Sequence, residues 1–306
     1  MAQDFIPYGI HVPLVTPFGQ DGRPDLDALE GLARSVLDAG AAGIVALGTT
    51  GEAGTLDAGE RRAVVDSCAR VCREHGAPLV VGTGGGATAA VALELAELRR
   101  RPEVRAALVP VPSFVRPSPD GVVAHFERLA ADSPVPLIVY HIPYRTARPL
   151  DAATLRALGG IPGVIGVKYA TGAVDQEAVA LLGDLPEDFA VLAGDDTYLS
   201  PLLALGATGG ILASAHLDTG RFAELVEAWR TGDAPRARAL GHRLARLSAL
   251  LFAEPNPTVV KGVLHAQGRI ATPDVRLPLL PASAASVGAA LKELAELGEP
   301  PAGAAG

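Results

Sequence analysis

The chain has 306 residues, a formal net charge of −8, 49% apolar residues and 4% aromatics. That length fits one large α/β domain with an appendage or two ordinary domains, with a core built mostly of Ala, Val and Leu. Scattered basic residues on an acidic chain exclude a nucleic-acid footprint, and no apolar run reaches the roughly 20 residues that span a bilayer. The N-terminus lacks a basic segment followed by an apolar stretch, so a soluble, cytoplasmic protein is expected. Cys68 and Cys72 lie four apart on one helix face, with no histidine at ligand spacing. They read as reduced core residues rather than a metal site.

Short apolar runs alternate with amphipathic stretches. Strands are expected at Ile10–Val15, Gly43–Leu47, Pro78–Gly82, Ala106–Val109, Leu137–Tyr140, Val164–Val167, Ala190–Ala193 and Gly209–Leu212. Helices are expected near 25–39, 57–75, 88–100, 119–132, 151–158, 173–183, 197–205 and 219–231. Eight runs that each lead into a helix, with a period of about thirty residues, argue for parallel βα units. Strands apolar on both faces fit a sheet covered by helices. Eight units over roughly 230 residues match a closed (β/α)₈ TIM barrel better than an open sheet. The doubly wound alternative lacks its glycine fingerprint, because Thr16-Pro17-Phe18-Gly19 follows the first strand. Gly82-Thr83-Gly84-Gly85-Gly86 has neither P-loop ending nor dinucleotide spacing and reads as a tight turn near the site mouth.

After Gly232 the pattern is purely helical, at 233–252, 256–267 and 284–296, punctuated by Glu254-Pro255-Asn256-Pro257. The expected organisation is a barrel over 1–232 carrying the active site, a C-terminal helical region over 233–298, and a tail over 299–306 too poor in side chains to pack.

A parallel barrel places its active site at the C-terminal ends of the strands. Strand 2 ends in Gly48-Thr49-Thr50-Gly51-Glu52, and strand 5 in Tyr140, followed by His141-Ile142-Pro143-Tyr144-Arg145-Thr146. Strand 6 ends in Lys168, and strand 7 leads into Gly194-Asp195-Asp196. A lysine where a buried strand stops is desolvated, which lowers its pKa and frees the amine to form a Schiff base with a ketone. The Gly48–Gly51 turn offers backbone N–H groups and two hydroxyls to a carboxylate. Tyr140 ends a strand about 5 Å from that of Lys168, where its phenol can relay protons. Arg145 suits a second carboxylate held in bidentate fashion. Glu52, Asp195 and Asp196 read as supporting or helix-capping groups. The set suits a 2-keto acid that becomes an enamine and adds to an electrophile. No metal or organic cofactor is implied, since the imine on Lys168 is itself the electron sink.

Gly48-Thr49-Thr50-Gly51-Glu52, Tyr140-His141-Ile142-Pro143, Gly166-Val167-Lys168-Tyr169-Ala170-Thr171-Gly172, Gly194-Asp195-Asp196 and Glu254-Pro255-Asn256-Pro257 resemble motifs of the dihydrodipicolinate synthase / N-acetylneuraminate lyase family. These are class I, pyruvate-dependent aldolases and synthases on a (β/α)₈ barrel with a C-terminal helical region. The resemblance runs from about Gly9 to about Leu291. It implies Lys168 as the Schiff-base lysine for pyruvate and Thr49 and Thr50 as carboxylate ligands that start a proton relay. Tyr140 would be the relay phenol, and the main chain near Ile211 or Leu212 would border the pyruvate. Arg145 would hold the carboxylate of aspartate semialdehyde. A homotetramer built from tight dimers is also implied.

Phe114, in Pro112-Ser113-Phe114-Val115-Arg116-Pro117, departs from the pattern. Synthases of the family carry there the second tyrosine of a Thr–Tyr–Tyr relay, supplied across a subunit contact. A phenyl ring cannot carry a proton, and losing one general acid–base group costs about 10²–10⁴ in rate. Tyr144 and Tyr169 are the remaining phenols near the motifs. The positions that match the family's lysine-inhibition cleft are Ala53, Ala58, Gly86, Ala90 and Ser113, none able to hold an ammonium group. The expected activity is a pyruvate-dependent carbon–carbon lyase or synthase nearest to the condensation with aspartate semialdehyde. Two alternatives stand beside it. A 2-keto-3-deoxy sugar-acid aldolase or dehydratase is favoured by Phe114 and disfavoured by Arg145. A catalytically idle sensor of 2-keto acids has no need of the Lys168 amine.

Overall fold

Eight parallel strands hydrogen-bond in chain order, and the last closes onto the first, in the computed structural model, which describes residues 5–298. They are β1 (Gly9–Pro13), β2 (Gly43–Ala46), β3 (Leu79–Gly82), β4 (Val104–Pro110), β5 (Leu137–His141), β6 (Val164–Tyr169), β7 (Ala190–Ala193) and β8 (Gly209–Ile211). Between them run α1 (Leu26–Asp38), α2 (Ala58–His75), α3 (Thr88–Glu97), α4 (Pro119–Asp132), the short α5 (Pro143–Thr146), α6 (Ala152–Gly159), α7 (Gln176–Leu182) and α8 (Leu199–Ala204). After β8 come α9 (Thr219–Arg230), α10 (Ala234–Leu251), α11 (Thr258–Ala266) and α12 (Ala284–Gly298). The protein is a (β/α)₈ barrel with a C-terminal helical region, and the tail expected at 299–306 lies outside the described residues.

Side chains alternate along each strand, and this splits the core into two layers. Val45, Val80, Leu108, Ile138, Tyr140, Leu192 and Ile211 fill the barrel interior. Ile44, Leu79, Val109, Val139, Val167 and Val191 face the helices. A Cβ on Gly209 would lie 2.0 Å from the Gly9 carbonyl oxygen, so β8 approaches β1 closely enough only as glycine. Seven helices begin at a residue whose side-chain oxygen accepts the N–H three positions on: Asp25, Asp57, Ser118, Asp151, Asp175, Asp218 and Asp233. Each such cap is worth about 1 kcal/mol.

All eight expected strands form. β4, β5 and β6 run further than their apolar patterns suggest; β4 spans Val104–Pro110, and the β5–β6 ladder continues through Tyr140↔Lys168 and His141↔Tyr169. Lys168 therefore sits inside β6 rather than beyond it. The α5 turn has no apolar periodicity and was not expected; Pro143 starts it and Arg145 rides on it. The C-terminal helices are fastened to one another and to the barrel. Arg246 pairs with Glu293 at 3.0 Å, and Arg269 donates to the His216 carbonyl at 2.7 Å.

Candidate active site

Tyr140 and Lys168 face each other across the β5–β6 ladder at the C-terminal end of the barrel. Lys168 is 6% exposed, and its Nζ lies 4.4 Å from the centre of the Tyr140 ring. Burial dominates its titration and lowers the pKa to about 8; Asp196 and Asp195 pull it upward, and Arg145 pushes it further down. About a tenth of the amine is then neutral at pH 7, against well under a thousandth for an ordinary lysine. Gly194 leaves the room this requires, since a Cβ there would sit 2.9 Å from Lys168 Cγ. Burial pushes the Tyr140 phenol up to about 12, while its hydrogen bond with Thr49 and the charge of Arg145 act the other way. A phenol so placed is a proton donor at neutral pH and a phenolate only in passing.

Thr49–Gly51 form one tight turn after β2. The N–H groups of Gly51 and Glu52 close it onto Gly48 and Thr49, so these donors are consumed by the turn itself. The expected backbone cradle is thereby reduced, and its polar face rests on the Thr49 and Thr50 hydroxyls. Thr50 Oγ1 accepts a hydrogen bond from Asn256 Nδ2 at 2.9 Å, and Gly51 is held from behind by the Thr16 hydroxyl on its carbonyl at 2.7 Å. Glu52 adopts a left-handed φ of 52° and turns inward. One carboxylate oxygen lies 2.7 Å from Lys261 Nζ on α11, and the other accepts the Arg276 N–H at 2.8 Å. Glu52 is thus a buried anchor rather than a helix cap; the cap of α2 is Asp57, reciprocated by Glu60.

Asp195 and Asp196 do not cap the turn they begin. Asp195 accepts the Gly172 N–H at 2.6 Å and Asp196 the Ser214 N–H at 2.5 Å, so together they pin the loops after β6 and β8 around Lys168. Burial raises the Asp196 carboxyl to about 6, against its bonds to Ser214 and the charge of Lys168. Arg145 lies with its guanidinium 5.4 Å over the Tyr144 ring. Tyr144, Arg145, Tyr140, Thr49, Thr50 and Lys168 line one crevice, with Ile211 on its wall. The crevice leads to a cleft of about 520 Å³ rimmed by Gly48, Gly82, Thr83, Gly84 and Asn256.

Several nearby residues face elsewhere. Leu212 packs in the helix-facing layer and gives its N–H to the His11 carbonyl, while Ile211 lines the crevice. His141 and Tyr169 point outward, their rings 5.5 Å apart, and the Tyr169 hydroxyl donates to Asp175 at 2.6 Å. Tyr169 is therefore no source of a phenol for Lys168. Phe114 is 96% exposed, at a φ of 67°. A second cavity, of about 460 Å³, opens at the opposite end of the barrel beside Phe5, Arg99 and Arg105 and holds none of these groups. Among the described residues, no group of three His, Cys, Asp or Glu side chains is placed to hold a metal ion, and no helix is long and apolar enough to cross a membrane. Asn256 and Lys261 are the site residues that sequence reasoning missed. Asn256 lies in the Pro-flanked segment that punctuates the helices and carries one of the family motifs, with no local signal that it reaches Thr50, and Lys261 interrupts the apolar run Thr258-Val259-Val260-Lys261-Gly262-Val263-Leu264.

The barrel and its mouth define a lyase of the class I aldolase type. The model of the dihydrodipicolinate synthetase family matches residues 7–296, and the chain belongs to that family. It is 40% identical over 283 residues to the 4-hydroxy-tetrahydrodipicolinate synthase of Moorella thermoacetica, covering 92% of this chain and 96% of that one. It is 36% identical over 275 residues to 4-hydroxy-tetrahydrodipicolinate synthase 2 of Clostridium acetobutylicum, covering 90% and 95%. Among solved structures, the dihydrodipicolinate synthase of Thermotoga maritima superposes with a TM-score of 0.91 at 28% identity, covering 96% of this chain and 99% of that one. The chloride-inhibited synthase of Acinetobacter baumannii complexed with pyruvate superposes with a TM-score of 0.89 at 34% identity, covering 94% and 99%.

Proposed function

We propose that the protein captures pyruvate as an imine on Lys168 and joins the derived enamine to an aldehyde that carries a carboxylate. Aspartate 4-semialdehyde, the partner in the reaction for which its relatives are named, is the leading candidate. The observation that carries this reading is the neutral-prone amine of Lys168, 6% exposed and stacked against the Tyr140 ring. The amine attacks the keto carbon, and the carbonyl electrons move to oxygen. The two N–H protons then leave with that oxygen as water, and Tyr140 with Thr49 is positioned to pass them. Protonation of the imine nitrogen then gives the iminium, and loss of a proton from its methyl carbon gives the enamine. When the new carbon–carbon bond forms, the nitrogen lone pair restores the iminium while the aldehyde π electrons move to its oxygen, which takes a proton; water then hydrolyses the iminium and frees Lys168, so no metal or organic cofactor is required. Thr50, held by Asn256, and Thr49 receive the keto-acid carboxylate, and exposed Arg145 at the cleft receives that of the aldehyde.

A second reading, a 2-keto-3-deoxy sugar-acid aldolase or dehydratase, draws on Phe114, whose ring brings no phenol to a neighbouring site. Phe114 and Val115 are 96% and 64% exposed. This apolar loop supports association with further copies, which we place in a homotetramer in the cytoplasm. Incubation with pyruvate followed by borohydride tests the core of the proposal. The intact protein gains the mass of one reduced adduct, and Lys168→Ala does not. A wild-type protein that stays unmodified would refute it.

A further inference from the structure

We infer that Tyr144 is the outer member of a proton relay, carrying protons between solvent and the buried Tyr140–Lys168 pair. The inference rests on imine chemistry at Lys168 and adds a residue to it.

Imine formation moves two protons from nitrogen to the departing oxygen, and enamine formation then removes one from carbon. Tyr140 is 8% exposed and Lys168 is 6% exposed, so each meets water only through the narrow side that faces the cleft. A phenol that has handed over its proton in such a place needs a neighbour to restore it. Among the described residues, Tyr144 is the other phenol lining the crevice that holds Lys168. Tyr169 faces the helices and is bound to Asp175. Asp196 lines the crevice too, but it is 5% exposed and committed to the Ser214 N–H, so it does not reach solvent.

Tyr144 bridges the two environments. It is 60% exposed, yet the same side chain walls the crevice next to Tyr140. The short α5 turn, begun by Pro143, fixes its backbone, and the Arg145 guanidinium over its ring fixes its plane. Burial raises the Tyr144 pKa, with Tyr140 and Asp195 adding to the rise and the Arg145 cation acting against it, so the phenol holds its proton at neutral pH and serves as a donor. Both relay members then come from one chain.

Tyr144→Phe tests the relay, because it keeps the ring beneath Arg145 and removes only the hydroxyl. Two rates are read: borohydride-trapped adduct formation on Lys168, and exchange of the pyruvate methyl protons in heavy water. In Tyr144→Phe both fall at least about tenfold, the adduct reaches the same final extent, and imidazole buffer restores part of the rate. Wild-type rates in Tyr144→Phe overturn the relay while leaving the imine intact. So does a loss confined to Tyr144→Ala, which would mean that the ring merely supports Arg145. An unmodified wild-type protein overturns the imine and the relay together.

Discussion

Glu52 Oε1 lies 2.7 Å from Lys261 Nζ, 209 positions apart in the chain, and both side chains are sealed from solvent. The ammonium also donates to the Asp274 carbonyl at 2.6 Å and sits 4.0 Å from the centre of the Phe18 ring. A charge pair buried this deeply is worth little as a pair, but each half is costly to leave alone. Since Glu52 ends the turn that carries Thr49 and Thr50, the pair fastens that turn to the C-terminal helices.

Removing one partner should therefore cost far more than removing both. Lys261→Met leaves a buried carboxylate without its counter-ion and is expected to lose about 3–5 kcal/mol of stability. Adding Glu52→Gln should recover most of that loss. Urea unfolding of the two single variants and the double variant measures the cycle. Additive single-variant losses would mean that the two side chains do not act as a unit.

Asn256 is the second fastening. Its amide donates to Thr50 Oγ1, which frees the Thr50 hydroxyl proton for a carboxylate. Asn256→Ala removes one hydrogen bond of about 0.5–1.5 kcal/mol and should weaken pyruvate capture about 2- to 13-fold, with little change in the folded fraction. Asn256→Asp should weaken it further, because a carboxylate cannot donate to Thr50 and repels the keto acid. Titration of the trapped adduct against pyruvate concentration reads both. Unchanged affinity in Asn256→Ala would detach the helical region from the chemistry.

The barrel was legible in this sequence because each unit carries its own signal, an apolar run that leads into a helical stretch, and most of the helices also open on an Asp or Ser cap. Lys168 was legible because it stands where a buried strand stops, beside the strand that ends in Tyr140. Of the 26 basic residues only three are lysines. Arginine serves elsewhere, and a guanidinium cannot give up its proton to become a nucleophile. Lys168 and Lys261 are buried, whereas Lys292 is 80% exposed. What the sequence concealed lies across long separations. The partners of Glu52 and Thr50 are more than 200 positions away, and no local period encodes such a meeting. The direction of Tyr169 was hidden by a single residue of strand register: extending β6 past Lys168 turns the next side chain outward.

The pKa of Lys168 sets the pH dependence of capture. Only the neutral amine attacks, so the initial rate of adduct formation should rise with pH and level off above about 8. Asp196 raises that pKa through its charge, so Asp196→Asn should move the midpoint to lower pH. The same group has a stability consequence. Its folded pKa lies below the ordinary value of 10.5, so the unfolded chain binds the extra proton between about 8 and 10.5. The Lys168 contribution to stability therefore rises with pH across that window and is flat below it. Adduct rates at a series of pH values for the two proteins decide the matter; a midpoint near 10 would mean the amine is solvated.

Arg145 should separate the two halves of the reaction. It stands on α5 at the cleft, exposed and stacked on Tyr144, and reaches Lys168 by charge rather than by contact. Arg145→Ala should leave the pyruvate adduct on Lys168 in full and lower the Lys168 amine's sensitivity to that charge, with a small rise in its pKa. Turnover with an aldehyde bearing a carboxylate should fall by about 10²-fold or more, since a charge-assisted pair of about 1.5–3 kcal/mol is lost together with the orientation it gives. Turnover with a neutral aldehyde should hardly change. Phe114→Tyr provides the complementary arm. If association brings residue 114 of one copy to the crevice of another, the added phenol raises turnover with the carboxylate-bearing aldehyde. A neutral polyhydroxy aldehyde preferred by both the wild type and Arg145→Ala would move the assignment to the sugar-acid branch, because a site built for that substrate has no use for the guanidinium.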